Sequence, residues 1–211
     1  MNDLVIVGAG GHGRELFATI AAINRTAPRW NVIGFVDDDP RHPERLERLG
    51  TGVLGPVAWL DGLDPLLAVA IGSPSTRRAL VEDLGRPPET YPTIVHPEVL
   101  IGPDVELGPG VIAYERCTVT TDVRIGAHTH LNAGCTVQHD SVVGSFVQFS
   151  PGVFVNGDCV VGDDVFLGTG AIITRGCRVG EGATVGAGAV VLDDVTAGST
   201  VVGVPAKLLP R

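Results

Sequence analysis

Aromatic side chains are scarce in this 211-residue chain, at 5%, with two Trp, two Tyr and six Phe. A core of this size must therefore be filled by small and β-branched residues. Positive charge is also short: 15 Lys and Arg stand against 24 Asp and Glu, a net charge of −9. That balance removes the attraction to phosphate backbones on which nucleic-acid affinity rests and argues against such a partner. No run of about 18 or more apolar residues is present, so no membrane span is expected. The opening Met-Asn-Asp-Leu-Val-Ile-Val has no basic segment before its apolar stretch, and a soluble cytoplasmic protein is expected. The four cysteines form no C-x-x-C pair, which speaks against a thiolate metal site or a redox motif.

Glycine is abundant instead, 29 of 211 residues, roughly twice the usual ~7%. From Ile101 onward an apolar residue opens every six-residue unit. The openers are Ile101, Leu107, Ala113, Val119, Ile125, Leu131, Val137, Val143, Phe149, Val155, Val161, Leu167, Ile173, Val179, Val185, Val191 and Ala197. Chance gives such a run about once in a million. A period of six fits neither an amphipathic helix nor a long flat strand; it calls for one short strand and one turn per unit. Three units make a triangular coil, and stacked 18-residue coils make a parallel β-helix. About five and a half coils are expected, on the order of 27 Å long. The openers are expected to point inward. The Gly or Asn that often follows them suits a corner needing positive φ or having no room for a side chain. The cysteines Cys117, Cys135, Cys159 and Cys177 all fall on the fifth position, where small buried residues recur, and are read as packing.

The first hundred residues lack this period. Leu4 to Val7 reads as a buried strand ending in Gly8-Ala9-Gly10-Gly11-His12-Gly13, followed by a helix from Arg14 to Ala22. Asn31 to Val36 is a second strand ending in Asp37-Asp38-Asp39, and Leu67 to Ile71 a third ending in Gly72-Ser73, with a helix over Thr76 to Leu84. The alternation predicts a small parallel α/β unit with its ligand site at the strands' C-terminal edge. Arg41 to Pro56 reads as a loop without a decodable motif, and Arg86 to Pro97 as the connector. The expected division is a Rossmann-like domain over 1–90 and a β-helix over 91–211. Gly8, Gly10 and Gly13 satisfy G-x-G-x-x-G with Asp37 at a suitable distance. NAD, a nucleotide or nucleotide-sugar, and a merely structural turn all remain open readings. About 90 residues are, however, too few for the complete dinucleotide fold.

The hexapeptide repeat and the closing Gly203-Val204-Pro205-Ala206-Lys207 resemble the hexapeptide-repeat acyltransferases, which implies a left-handed β-helix. Together with the Gly-Ala-Gly-Gly-His-Gly loop and the Val36-Asp37-Asp38 turn, the whole chain is similar to the bacterial sugar acyltransferases. These include UDP-4-amino-sugar N-acetyltransferases and sialic acid O-acetyltransferases. The resemblance implies that Gly10, Gly11, His12, Gly13, Asp37, Asp38 and Gly72 hold a nucleotide-linked amino sugar. It also implies a homotrimer with acetyl-CoA between neighbouring β-helices.

Of six histidines, only His139, in Val137-Gln138-His139-Asp140, stands in the family's catalytic context. It occupies the third position of its unit and is expected to point outward. An amine attacking a thioester must lose a proton, which an imidazole accepts near neutral pH. The resemblance implies His139 as general base, oriented by Asp140. Gly157, 18 residues on, is its implied oxyanion donor. Gly168, Thr169, Ala187, Gly188 and Lys207 are the implied CoA contacts. Gln148 stands where some relatives carry a histidine near the thioester, with His130 in the same column one coil earlier. A zinc site of the γ-carbonic-anhydrase kind needs a second histidine five after His139, where the chain has Gly144, so no metal is expected. Acetyl transfer to a nucleotide-linked amino sugar, for instance a 4-amino-6-deoxy sugar, is the leading expectation. The alternatives are O-acetylation on the same fold, a non-catalytic nucleotide-sugar-binding trimer, and an NAD-linked oxidoreductase.

Overall fold

The computed structural model describes residues 1–210. Strand β1 (Asn2–Val7) leads into helix α1 (Gly11–Thr26), and β2 (Trp30–Val36) into a short helix α2 (Glu44–Glu47). Then come β3 (Val53–Gly55), β4 (Leu66–Val69) and α3 (Pro74–Leu84). The four strands form a parallel sheet in the order β3-β2-β1-β4. Alternate residues of β1 serve the two faces, as strand geometry requires. Leu4 and Ile6 pack with Leu16 and Ile20 of α1, while Val5 and Val7 join Leu60, Leu67 and Val69 on the α3 side. Helix α3 starts on Ser73, whose hydroxyl accepts from Thr76 N–H at 3.4 Å, with Pro74 at the first turn. It ends on Gly85 at φ +56°.

The segment expected to be a loop, Arg41 to Pro56, carries both α2 and β3. Three residues of strand and one helical turn are too short to show a period. The expected connector likewise contains a strand. Ile94–Val95, here β5, pairs in parallel with Ile112–Ala113, so the repeat begins one unit before Ile101, at Val95.

From there three parallel sheets wind a prism. One stacks residues 94–95, 112–113, 130–131, 148–149, 166–167 and 184–185; a second stacks 100–101 through 190–191; a third stacks 105–107 through 178–179. Register advances by 18, as in Leu131, Phe149, Leu167 and Val185, all buried. The openers Ala113 through Val191 point inward, but Ile101, at the open first coil, is 41% exposed. The last coil is short: Val179 bridges to Val195 and Val185 to Val201, 16 residues on. Val195 and Val201 therefore take the inward places, and Ala197, expected to do so, is exposed.

In the units opened by Ile101 through Val185, positive φ falls not after the opener but on the fourth position, at Asp104, Arg116, His128, Asp140, Phe146 and Asp158 among others. The second-position glycines answer only the crowding. A Cβ on Gly126 or Gly162 would sit within 2.6 Å of the next coil's backbone. The fifth position has its own rule. Thr129 Oγ1 donates to Gly144 O at 2.8 Å, Ser141 Oγ to Asn156 O at 3.1 Å and Cys135 Sγ to Ser150 O at 3.2 Å, each 15 residues ahead. All four cysteines are buried free thiols, in keeping with the packing reading.

Candidate active site

Two groups of residues carry chemistry. The first lies at the C-terminal edge of the α/β sheet. Gly8 has φ +107°, and Gly13 lies so close to Gly8 O that any Cβ would collide, so α1 sits hard on the end of β1. Gly10 and Gly72 face open space, with no atom within 4 Å of a built Cβ. Helix α1 has no side-chain cap and no acid in its first turn. The N–H groups of Gly11, His12 and Gly13 have no acceptor among the described residues. Bare donors at a helix N-terminus suit a phosphate.

The two aspartates of this edge also hold backbone donors. Asp37 accepts Ala9 N–H at 2.7 Å and Asp39 N–H at 2.9 Å, and Asp38 accepts Val57 N–H at 2.8 Å. They pin the loops around the edge, and Asp37 has a backbone donor on each oxygen. Beside Gly11 opens a groove of about 440 Å³ lined by Arg14, Glu15, Ala18, Arg45, Arg48 and Leu49, three basic groups against one acid. Sequence reasoning missed these three arginines. Two of them lie on or beside α2, and only the fold brings them to α1.

At the junction with the β-helix, His12 Nε2 meets His130 Nδ1 at 3.0 Å, with Tyr114 OH at 3.3 Å. His12 is held down to about pKa 4 by burial and by the charge of Arg77, and fully buried His130 is pushed well below its ordinary value for the same reasons. His128, stacked on Phe146 with centroids 5.0 Å apart, is likewise lowered to about 4. Arg77, from α3, is wholly buried, which lowers it to about 9. Its five N–H groups donate to His128 O at 2.9 Å, Gln148 Oε1 at 3.1 Å, Phe146 O at 3.0 Å, Val147 O at 3.1 Å and Ile71 O. Gln148 is thus placed in this junction, 4% exposed, its oxygen taken by Arg77 and its nitrogen donating to Phe149 O at 3.1 Å. Next to it Arg78 grips Asp164 at 2.8 Å and lies over the Phe146 ring at 4.3 Å.

The second group lies on a corner of the prism. His139 points outward, its side chain 44% exposed, and its Nδ1 lies 2.7 Å from Asp140 Oδ2. A carboxylate only accepts, so Nδ1 carries the proton and Nε2 offers a lone pair. The fourth-position turn, φ +61° at Asp140, swings the carboxylate beside the ring. Below the ring lies Gly157, whose N–H has no acceptor among the described residues. Thr169 and Ala187 present free N–H groups on a neighbouring corner, at the opposite edge of the second sheet. Gly168 and Gly188 do not: their N–H groups bond Val185 O at 2.7 Å and Thr169 O at 2.8 Å. Lys207 is exposed at the far end, in a strand antiparallel to 200–202. Among the described residues, no cluster of His, Cys, Asp and Glu has a metal-binding arrangement.

Residues 3–84 match the PglD N-terminal domain family and residues 158–193 the bacterial transferase hexapeptide family of six repeats. The acetyltransferase domain of PglB from Neisseria gonorrhoeae is 30% identical, with TM-score 0.88, over 99% of this chain and 100% of that one. The perosamine N-acetyltransferase of Caulobacter crescentus, a histidine variant in complex with CoA and GDP-perosamine, is 29% identical, with TM-score 0.87, over 100% of this chain and 98% of that one. The UDP-N-acetylbacillosamine N-acetyltransferase of Bacillus subtilis is 30% identical over 114 residues, 53% of this chain and 51% of that relative. The match thus spans about half the length of this curated relative. With both domains matched and a solved relative aligned from end to end, the chain belongs to the PglD-type hexapeptide-repeat acetyltransferase family.

Proposed function

We propose that the protein transfers the acetyl group of acetyl-CoA to the amine of a nucleotide-linked sugar, a 4-amino-6-deoxy sugar in the first instance. The observation that carries this reading is the corner where the His139–Asp140 pair, 2.7 Å apart, lies over the free N–H of Gly157. The sugar amine attacks the thioester carbonyl, and His139 Nε2 takes the proton it sheds. Asp140 holds the ring in the receptive tautomer and stabilises the imidazolium. Gly157 N–H faces the oxygen on which charge develops. The C–S bond then breaks, the CoA thiolate takes the proton from the His139 imidazolium and leaves as the thiol, and no acetyl-enzyme forms. The buried cysteines have no part in this.

The α/β unit, residues 1–90, holds the nucleotide-sugar with its diphosphate on Gly10 to Gly13, and the arginine groove beside them supplies charge. The β-helix, from residue 91, holds CoA through Gly157, Thr169 and Ala187, with Lys207 towards a CoA phosphate. Support for a homotrimer comes from the outer face of the second sheet, where Leu100 is 59% and Phe154 43% exposed. Burying that face against another copy sets the His139 corner near a neighbour's Thr169 corner, enclosing a CoA cleft between subunits. Among the described residues no helix is long and apolar enough to cross a membrane; the enzyme is assigned to the cytoplasm, where acetyl-CoA is made.

Thermal-shift titration with UDP, GDP, dTDP, CoA and NADH, followed by thiol release with 4-amino-sugar nucleotides, tests this reading. Stabilisation by CoA and one nucleotide, with thiol released only when both substrates are present, is the expected result. Stabilisation by a nucleotide alone points to a binding protein, and thiol release only with a hydroxyl acceptor to O-acetylation.

A further inference from the structure

His12 lies in the first turn of α1, so the side on which its ring carries the proton decides what it offers a ligand there. Three contacts fix that side. Its Nδ1 faces the Glu15 carboxylate at 3.8 Å. Its Nε2 faces His130 Nδ1 at 3.0 Å and Tyr114 OH at 3.3 Å. The far nitrogen of His130, Nε2, is wholly buried with no partner among the described residues. One proton lies between the two rings. If His12 donated it, His12 Nδ1 would be bare towards a carboxylate, acceptor against acceptor, and His130 would carry a buried N–H with nothing to bond. Orphaned buried N–H groups are rare because they forfeit a strong interaction with water. If His130 donates instead, Nδ1–H of His12 turns towards Glu15, and His130 leaves only a lone pair unmet. Tyr114 OH then donates to the same side of His12.

We propose that His130 and Tyr114 are positioning residues that lock His12 as a neutral imidazole with its proton on Nδ1, a fixed hydrogen-bond donor to the diphosphate of the nucleotide-sugar. This rests on the proposed substrate site. Neither residue touches substrate; both act through His12, from the β-helix across the domain junction. A neutral donor suits the place, because the buried Arg77 guanidinium already stands nearby and a second cation would be repelled. The ring stacking of His12 on His130, centroids 5.1 Å apart and planes 24° apart, holds the orientation.

Nitrogen-15 NMR of the selectively labelled free protein reads the tautomer directly. The expected result is a pyrrole-type Nδ1 and a pyridine-type Nε2 on His12; the reverse assignment overturns the proposal whatever the substrate is. His130→Phe and the milder Tyr114→Phe, chosen in case the first fails to fold, are then measured. Loss of the single tautomer in either, with KM for the nucleotide-sugar raised about tenfold and kcat nearly unchanged, supports the lock. An unchanged His12 spectrum and unchanged KM in Tyr114→Phe and His130→Phe contradict it. If wild-type protein binds no nucleotide at all, the substrate reading fails, and the tautomer result in the free protein still decides the lock.

Discussion

A methyl group on Gly157 would lie 2.6 Å from Nε2 of His139, so the bareness of one residue determines where the other's base can sit. The 18-residue advance of the coil puts them in one column. Gly157→Ala is therefore expected to tip the imidazole away from its seat while the coil survives, since φ at Gly157 is not in the left-handed region. Displacing a reacting group by about 1 Å costs on the order of 100-fold. Steady-state kinetics should show kcat falling by about that factor with Tm within a few degrees of wild type.

Asp140→Asn keeps the size of the side chain but replaces an obligate acceptor with an amide that can also donate. The His139 tautomer is then no longer imposed, and kcat is expected to fall about 10- to 100-fold with KM for acetyl-CoA unchanged. Equal kcat in the variant and wild type contradicts the orienting role.

Acid stability follows from the junction. His12 and His128 are lowered to about 4 in the folded chain against 6.5 in the unfolded one. Between those values the unfolded state binds more protons, so stability rises with pH through this window. Each group contributes a slope of up to about 1.4 kcal/mol per pH unit. Stability is level above about pH 6.5 as far as these groups are concerned and is lost progressively down to about pH 4. Urea unfolding at pH 4.5, 5.5 and 7.5 checks this, and His128→Asn should flatten the dependence.

Arg77 ties α3 to two coils of the prism through four hydrogen bonds and to Ile71 O of its own unit through a fifth. Arg77→Met removes the donors and leaves buried carbonyls and the Gln148 amide oxygen unmet. A loss of about 3 kcal/mol or more is expected in chemical denaturation. Cys117→Ser and Cys135→Ser should by contrast keep both fold and turnover, because hydroxyls at Thr129 and Ser141 already make the same bond 15 residues ahead. Loss of turnover in these variants with the fold intact would point to a thiol in the chemistry.

The prism was legible because each coil repeats one physical problem, an inward residue and a tight corner, and seventeen openers state it. The ends were not: Val195 and Val201 replace Ala197 inside because a shortened coil changes the spacing, which a fixed period cannot announce. The glycine loop and the His139–Asp140 pair are local in sequence and could be read. Arg77, Arg45 and Arg48 could not, since nothing near them in sequence shows which surface they meet. Gln148, read from its position as a residue near the thioester, sits on the first sheet under the α/β unit and bonds Arg77, a partner its sequence neighbours do not announce. The register of the coil fixes which sheet a residue is on, but not what covers that sheet.

The most direct test of the account is turnover of purified, folded His139→Ala with acetyl-CoA and the nucleotide-linked amino sugar that wild type accepts. Loss of the base is expected to lower kcat by about 100- to 10,000-fold while CoA still stabilises the protein against heat. Wild-type turnover in that variant would contradict the assignment of His139 and, with it, the placing of the reaction on this corner.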